Sequence, residues 1–459
     1  MKRRTCRSIF VLALSVAVAG VAGCTVGGGG SASGSKSGGS ITVAVVNNPD
    51  MIRMESLTSD FTNKTGIKVK YVTLNDQDLR QKVTTAAATK SGLYDVAMIS
   101  PDEVQSGWAT NKWLLPLSAL FAKLPQAKQT SYDLDDVLPA VRDALSVNNQ
   151  LYAVPFYGES NILYYRKDLF AKAGLTMPAK PTWDQIASFA QKLNDPSAGV
   201  YGIVLKGIPQ YGQLAPLMTE INSFGARWFD ENWNPQITSA PFKKAVNAYI
   251  SLVKNYGEPG AASVGFEEGL NLMAQGKGAI WVDSTVAAGS LNDPKSSKVA
   301  GKLGYVQAPT EGCDNGSHWL YAWSLGIVNG TKNSDAAVSF IQWATSKDYI
   351  NLVAQKAGWG DVPPGTRTST YTNGEYTKVA PFAQTTLDAM NTATNNKPSC
   401  QPVPYKGTTA IFIPEFPDFG NQFAQGLAAV VSGKESVDAW LNSSQAYTTT
   451  VMKKAGYLK

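Results

Sequence analysis

The sequence of 459 residues is poor in the residue types on which metal-dependent and nucleophilic enzymes rely. It contains one histidine, His318, with no other histidine and no carboxylate at metal-ligand spacing, so we expect a packed or surface residue there rather than a ligand. The motifs GxSxG, HExxH and GxxxxGKS/T do not occur in the sequence. These absences predict a chain with no catalytic residue, no metal site and no cofactor.

The chain also lacks a strong charge of one sign. Its formal net charge is +6, but four of the basic residues, Lys2, Arg3, Arg4 and Arg7, lie within the first seven positions. The rest of the chain carries 37 basic and 35 acidic residues, a balance that does not predict the basic surface of a nucleic-acid-binding protein. We therefore expect no nucleic-acid partner.

No apolar run reaches the ~20 residues that a membrane-spanning helix requires. Residues 9–22 form a fourteen-residue apolar run after a basic start, which is the pattern of a secretory signal. The letters VAGC at residues 21–24 look like the bacterial lipobox, in which cleavage precedes a lipid-bearing cysteine; an ordinary signal with an incidental cysteine is the alternative. The sequence predicts a signal peptide at residues 1–23, and then a lipidated Cys24 with a flexible Gly/Ser tether at residues 24–40. Such an anchor would hold the protein at the extracellular face of the cell membrane.

Only two cysteines are left for the folded part once Cys6 and Cys24 are assigned to the signal and the anchor. These two, Cys313 and Cys400, are most simply one disulfide in an exported protein, because the compartment is oxidising. Two free buried thiols are the alternative.

Strand-like and helix-like segments alternate from residue 41 onward. Residues 41–46, 67–72 and 94–99 are short runs rich in β-branched residues, and residues 51–62 and 79–88 carry apolar residues at helical spacing. This order predicts an α/β fold with parallel strands, in which ligands bind at the carboxyl ends of the strands.

The same alternation continues along the rest of the chain. Thr182 and Gln185 form a capping-box pattern at the start of a helix. Further helices are predicted at residues 242–256, 335–345, 422–431 and 437–454, and further strands at residues 278–282 and 325–328.

Three blocks of sequence, residues 155–170, 276–283 and 323–327, together with their order and spacing, resemble the extracellular sugar-binding proteins of ABC importers, the maltose-binding-like group. Residues 94–100 and 358–367 look most like the sorbitol/mannitol-type binders of that group. The resemblance implies a two-lobed periplasmic-binding-protein-like fold (type II), with the ligand in the cleft between the lobes. It also implies a first crossover near Phe156–Ser160. Lobe 1 would comprise residues 41–157 and about 311–355, and lobe 2 about 158–310 and 356–459.

A neutral polyhydroxyl ligand needs flat aromatic surface for its C–H patches and charged or amide groups for its hydroxyls. Glu159 is the first candidate, because the resemblance implies a carboxylate beside the first crossover; an ion pair with Arg166 or a nearby lysine is the alternative. Asn48 and Asp102 follow predicted strands, although Asx residues also favour turns. The full set of candidates is Asn48, Asp102, Tyr157, Glu159, Trp281, Asp283, Trp323, Trp359 and Arg367.

Several of these candidates also have a structural interpretation. Tyr157 and Trp281 could be core residues, and Asp283 could cap the following helix. Arg367 could form a salt bridge with Asp361.

The sequence therefore predicts a capture protein that performs no chemistry. It would bind a small neutral sugar or polyol, act as a monomer, and deliver the ligand to a membrane-embedded ABC permease. One alternative is an exported glycoside-processing enzyme with Glu159 and Asp283 as its carboxylate pair and a raised pKa on one of them. The other alternative is a surface glycan-binding module.

Overall fold

The computed structural model describes residues 39–459. The predicted signal peptide, the lipidated Cys24 and all but the end of the tether lie outside the described residues and stay predictions. Among the helices of residues 39–459, none combines the length and the apolar character that a bilayer crossing demands.

In the part of the chain that the structure describes, ten strands form two main sheets and one small hairpin. The strands are β1 (Ser40–Val46), β2 (Lys68–Leu74), β3 (Val96–Ile99), β4 (Ser146–Val147), β5 (Gln150–Leu151), β6 (Ala153–Glu159), β7 (Asn161–Arg166), β8 (Ile280–Ser284), β9 (Leu303–Gln307) and β10 (Tyr321–Ile327). The first sheet has the order β2-β1-β3-β10-β6, the second has the order β8-β7-β9, and β4 pairs with β5.

The helices surround these sheets. They are α1 (Pro49–Thr65), α2 (Asp76–Ala88), α3 (Pro101–Glu103), α4 (Leu117–Phe121), α5 (Gln126–Tyr132), α6 (Pro139–Ala144), α7 (Lys167–Lys172), α8 (Trp183–Leu193), α9 (Ala215–Ser223), α10 (Ala240–Tyr256), α11 (Phe266–Ala274), α12 (Ala287–Asn292), α13 (Ser334–Ala344), α14 (Lys347–Ala357), α15 (Thr368–Tyr371), α16 (Gly374–Val379), α17 (Ala383–Thr392), α18 (Phe416–Val431) and α19 (Val437–Lys454).

The first sheet begins with the predicted alternation of strands and helices. Strand β1 pairs in parallel with both β2 and β3, and α1 and α2 make the connections. Residues 43–46 of β1 are all buried, because helices cover both faces of a parallel sheet. The side chain of Asn48 caps α1 by accepting the Met51 N–H at 3.0 Å, and Gly66 ends the helix in the left-handed region (φ 75°). The predicted βαβαβ unit is thus confirmed.

The chain passes from the first sheet to the second within one residue, at the predicted crossover. Strand β6 ends at Glu159, β7 begins at Asn161, and Ser160 lies between them. The backbone there is held by Thr285, whose N–H donates to the Ser160 carbonyl at 2.8 Å and whose Oγ1 accepts the Ser160 N–H at 3.2 Å. Strand β10 later returns the chain to the first sheet.

Within residues 39–459, buried hydrophobic side chains form two cores, and each of them includes residues of the second sheet. The first contains β1, β3 and β6, whereas the second contains large rings such as Trp228, Phe423 and Trp440. Val362 and Met390, which the predicted boundaries assign to lobe 2, belong to the first core together with the strands of the first sheet. The lobe boundaries given above stay a prediction.

A disulfide joins Cys313 to Cys400, as the cysteine count predicted. It connects the loop before β10 to the long segment between α17 and α18. Near it, the side chain of Asn395 donates to the Leu320 carbonyl at 3.1 Å and accepts a hydrogen bond from Thr408 at 2.6 Å. The disulfide and the bond to Leu320 attach the long segment to the chain just before β10.

Candidate ligand-binding cleft

A cavity of about 490 Å³ lies where the two sheets meet, a volume within the usual range for small-molecule sites. Its lining includes residues 46–48 at the carboxyl end of the parallel strand β1 and Asp102 after β3, which is the predicted position for a ligand site. The ends of β6 and β8 and the start of β10 complete its inner wall.

The pairing of β6 with β10 brings four side chains to one wall. Tyr321 lies opposite Glu159, and Trp323 lies opposite Tyr157. All four line the cavity. The rings of Tyr321 and Trp323 meet edge to face with centroids 5.6 Å apart, so this wall offers an aromatic surface next to a carboxyl group.

Glu159 has no ion pair with a basic side chain anywhere in residues 39–459. The predicted alternative partner, Arg166, instead forms two hydrogen bonds with Asp168 at 2.6 and 2.7 Å. Glu159 accepts a hydrogen bond from the Ser284 hydroxyl. Burial raises the pKa of Glu159 to about 7, although Ser284 and Lys206 both lower it.

Asp283 lies inside β8 rather than after the strand, and its side chain is fully buried in the wall of the cavity. Its Oδ1 is 3.0 Å from the Lys206 ammonium and accepts the Ser284 N–H at 2.7 Å. Its Oδ2 has no hydrogen-bond partner within the described residues. Burial raises the pKa of Asp283, and Lys206 lowers it.

Arg80 of α2 is the most connected side chain in the cleft, and the sequence analysis missed it. Its guanidinium contacts Asp76 at 2.8 Å, Asp102 at 3.3 Å and the buried carboxylate of Glu103. It also donates to the Tyr321 hydroxyl at 2.7 Å and lies 5.1 Å above the centre of the Trp323 ring. A signal was available, because Arg80 is on the second turn of a helix that starts directly after a parallel strand.

The mouth of the cavity carries a second ionic group. Arg53 contacts Asp50 at 2.8 Å and Asp361 at 2.7 Å. Nearby, the Asn48 amide donates to the Tyr157 hydroxyl at 3.1 Å, so the residue that caps α1 also orients a ring of the cleft wall.

The structure does not bring three of the predicted residues, Trp281, Trp359 and Arg367, to the cavity. Trp281 is fully buried and packs between Tyr164 and Phe266, with ring centroids 5.3 and 6.0 Å away. Trp281 is on the same side of β8 as Asp283. It lies two residues earlier, which is about 7 Å along the strand, and therefore behind the wall of the cavity.

Arg367 and Trp359 have structural positions for different reasons. Arg367 is fully buried, donates to the backbone carbonyls of Asp133 and Thr345 at 2.8 and 3.0 Å, and lies over the Tyr132 ring. Its proposed salt-bridge partner, Asp361, pairs with Arg53 instead. Trp359 packs against the first core, whereas the next two residues, Gly360 and Asp361, line the cavity.

Six predicted residues do line the cavity, and further residues join them. The six are Asn48, Asp102, Tyr157, Glu159, Asp283 and Trp323; their contact with a ligand stays a prediction. Lys206, Ser284, Trp319 and Tyr321, like Arg80, line the cavity without having been predicted. His318 is packed away from the cavity, and burial lowers its pKa to about 4. Within residues 39–459, no group of histidine, cysteine or carboxylate side chains could hold a metal ion.

Comparison with known proteins gives consistent matches over most of the chain. The profile of the bacterial extracellular solute-binding protein family matches residues 48–351. The mannitol-binding protein of Pseudomonas aeruginosa is 46% identical over 421 residues, which cover 91% of this chain and 94% of that protein.

Two solved structures show the same fold. A solute-binding protein of an ABC transporter from Agrobacterium vitis S4, with bound D-mannitol, has a TM-score of 0.87 and 49% identity, covering 92% of this chain and 100% of that one. A solute-binding protein from Agrobacterium radiobacter K84, in complex with ribitol, has a TM-score of 0.78 and 25% identity, covering 90% of this chain and 99% of that one.

Proposed function

This chain belongs to the family of bacterial extracellular solute-binding proteins, and we propose that it binds an acyclic sugar alcohol, preferentially D-mannitol, for delivery to an ABC importer. The observation that carries the proposal is the position of Glu159 in the cleft. This carboxyl group has hydrogen-bond capacity beyond its bond to Ser284 and lies beside the aromatic side chains of Tyr157 and Tyr321. Hydroxyl groups satisfy such a carboxyl group without adding charge.

The relatives support the ligand class. The Pseudomonas protein is a mannitol-binding protein, and the two solved structures hold D-mannitol and ribitol, both of them open-chain polyols. This chain supplies the two kinds of surface that a polyol needs, namely the rings of Tyr321 and Trp323 and the polar groups of Glu159 and Arg80.

We further propose that the protein acts as a monomer whose two lobes close around the ligand, and that Cys24 anchors it to the membrane. Hinge closure around a ligand is an established motion of periplasmic binding proteins. A connection of one residue, Ser160, between β6 and β7 suits a hinge.

An exported glycoside-processing enzyme is the alternative, and it predicted a raised pKa on Glu159 or Asp283. Both carboxyl groups have raised pKa values. Burial is the first cause in each case, so these shifts do not require a catalytic role. The binding function and the enzymatic function differ in one observable, which is turnover of a glycoside.

Thermal unfolding with a panel of hexitols, pentitols, hexoses and maltose tests the proposal. A ligand at 100 times its dissociation constant stabilises the protein by about 2.7 kcal/mol, and we expect D-mannitol to give the largest shift. We expect Glu159→Ala to abolish this shift while leaving the unliganded melting temperature nearly unchanged. Asp143→Asn, an exposed change on α6 outside the cleft, is the matched control. No shift with any polyol, together with cleavage of an aryl glycoside, would refute the proposal.

A further inference from the structure

The cleft contains more acidic than basic groups. Eight carboxyl groups line it, against three basic side chains. Each basic side chain already has carboxylate partners: Arg53 with Asp50 and Asp361, Arg80 with Asp76, Asp102 and Glu103, and Lys206 with Asp283. No cation of the cleft is therefore free to receive a negatively charged ligand.

The excess of acidic over basic groups is greatest among the buried side chains of the inner wall, around Lys206. Two carboxyl groups, Glu159 and Asp283, share the field of this single ammonium group. Asp283 forms the ion pair, and the Lys206 ammonium also lies 5.6 Å from the centre of the Phe266 ring. Glu159 receives only the neutral hydroxyl of Ser284, and Asp283 Oδ2 receives no hydrogen bond within the described residues. When both carboxyl groups are ionised, this group of side chains therefore carries one negative charge without a positive partner.

We propose that the cleft accepts amino polyols, meaning open-chain sugar alcohols in which a protonated amine replaces one terminal hydroxyl, and rejects the corresponding aldonic acids and polyol phosphates. The inference rests on the proposed function, because it assigns the ligand class of the same cleft. The ammonium group of the ligand would lie against Glu159 and supply the missing charge.

Three physical arguments support this assignment. An ammonium and a hydroxyl are similar in size, and both donate hydrogen bonds, so the remaining hydroxyls keep their contacts. Hydrogen bonds between two charged groups are shorter and stronger than those of a neutral hydroxyl. A carboxylate or phosphate at the same position would lie near Glu159 and Asp283, and like charges disfavour one another in a buried site.

The ammonium would also replace a proton. The charged and titratable groups facing Glu159 are Asp283 of β8, Asp50 of α1, Tyr157 of β6, Tyr164 of β7, Tyr321 of β10 and Lys206. Burial raises the pKa of Glu159 to about 7, so this carboxyl group is partly protonated near neutral pH. Binding of an amino polyol would release that proton, whereas binding of the neutral polyol would not.

Isothermal titration calorimetry of the purified protein with D-mannitol, 1-amino-1-deoxy-D-mannitol and D-mannonate tests the inference. At pH 7.5 and low salt, we expect the amine to bind at least as tightly as mannitol and mannonate to bind at least about tenfold more weakly. At pH 7.0, titrations in two buffers of different ionisation enthalpy should show release of about half a proton with the amine only.

The variant Glu159→Gln isolates the charge of this residue. We expect it to lower the ratio of amine affinity to mannitol affinity by about tenfold, because it removes the charged partner but keeps a hydrogen-bonding side chain of the same length. Asp143→Asn removes one negative charge outside the cleft and should leave the ratio unchanged. In the wild-type protein, 0.5 M NaCl should weaken the amine more than mannitol.

The outcomes separate the inference from the proposed function. A protein that binds mannitol but rejects the amine, or that binds mannonate as tightly as mannitol, overturns the inference and leaves the proposed function intact. An unchanged affinity ratio in Glu159→Gln also overturns the inference. A protein that binds none of the hexitols overturns the proposed function, and the inference with it.

Discussion

Replacing Arg80 with methionine tests whether the ionic group around Arg80 in the cleft wall stabilises the fold as well as the site. The guanidinium serves Asp76, Asp102 and Glu103 together, and it lies over the ring of Trp323. Methionine has a similar length and no charge. Arg80→Met therefore leaves Glu103, which is only 9% exposed, without its cationic partner.

Breaking a buried ion pair from one side costs about 3–5 kcal/mol, because the remaining charge stays desolvated. Two hydrogen bonds from Ser100 to Glu103, at 2.6 and 2.7 Å, favour the carboxylate and keep the expected cost near the lower end of that range. We expect a loss of about 3 kcal/mol from the unfolding free energy of the unliganded protein at pH 8.

The loss should depend on pH in a defined direction. Burial already raises the pKa of Glu103, and Arg80 is the main group that lowers it. Without Arg80, the folded state binds a proton that the unfolded state releases above its ordinary pKa. Stability then falls as pH rises from the unfolded pKa through the folded pKa. We expect a smaller loss at pH 5 than at pH 8.

Urea unfolding of the wild-type protein, Arg80→Met, Glu103→Gln and the double variant measures these values. Glu103→Gln in the Arg80→Met background should recover most of the loss at pH 8, because the unpaired charge is gone. Two results would refute this account of the ionic group. One is a loss of unfolding free energy below about 1 kcal/mol in Arg80→Met. The other is an equal loss at pH 5 and at pH 8.

Two further predictions concern the disulfide and the aromatic wall. The double variant Cys313→Ser/Cys400→Ser should lose up to about 4–5 kcal/mol of unfolding free energy, because the cross-link spans 87 positions, and its urea midpoint should fall; an unchanged midpoint contradicts this. Trp323→Ala should weaken polyol binding by about tenfold in calorimetry, whereas Trp359→Ala should not, because only Trp323 lines the cavity. Equal losses in both variants would count against an aromatic wall at Trp323.

The sequence predicted the parallel part of the first sheet well, because hydrophobic periodicity and strand length determine which segments form buried strands. The rule that ligands bind at strand ends led to Asn48 and Asp102, both of which line the cavity. The resemblance to sugar-binding proteins led to Glu159, at the end of β6.

Sequence reasoning failed where three-dimensional neighbours decide the outcome. Period-two alternation places Trp281 and Asp283 on one side of β8. It does not show which of the two is covered by another ring, as Trp281 is by Phe266, and therefore does not reach the cleft. Arg367 follows a rigid loop, yet its partners Asp133 and Thr345 are distant in the sequence. Arg80 and Lys206 were missed for the same reason, because most of the groups that define their roles come from other elements.

The passage from β6 to β7 makes Glu159 and the crossover a single short piece of chain. Glu159 and Asn161 flank Ser160, and Asn161 accepts the Trp319 N–H at 2.9 Å on the far side. A change in the angle between the two strands must therefore displace a side chain of the cleft at once, without a relay through the interior. This short connection also tolerates no change in length. One inserted or deleted residue would turn every later side chain of β7 to the opposite face of the sheet. It would also displace the crossover at Ser160 and the carboxyl group of Glu159 beside it.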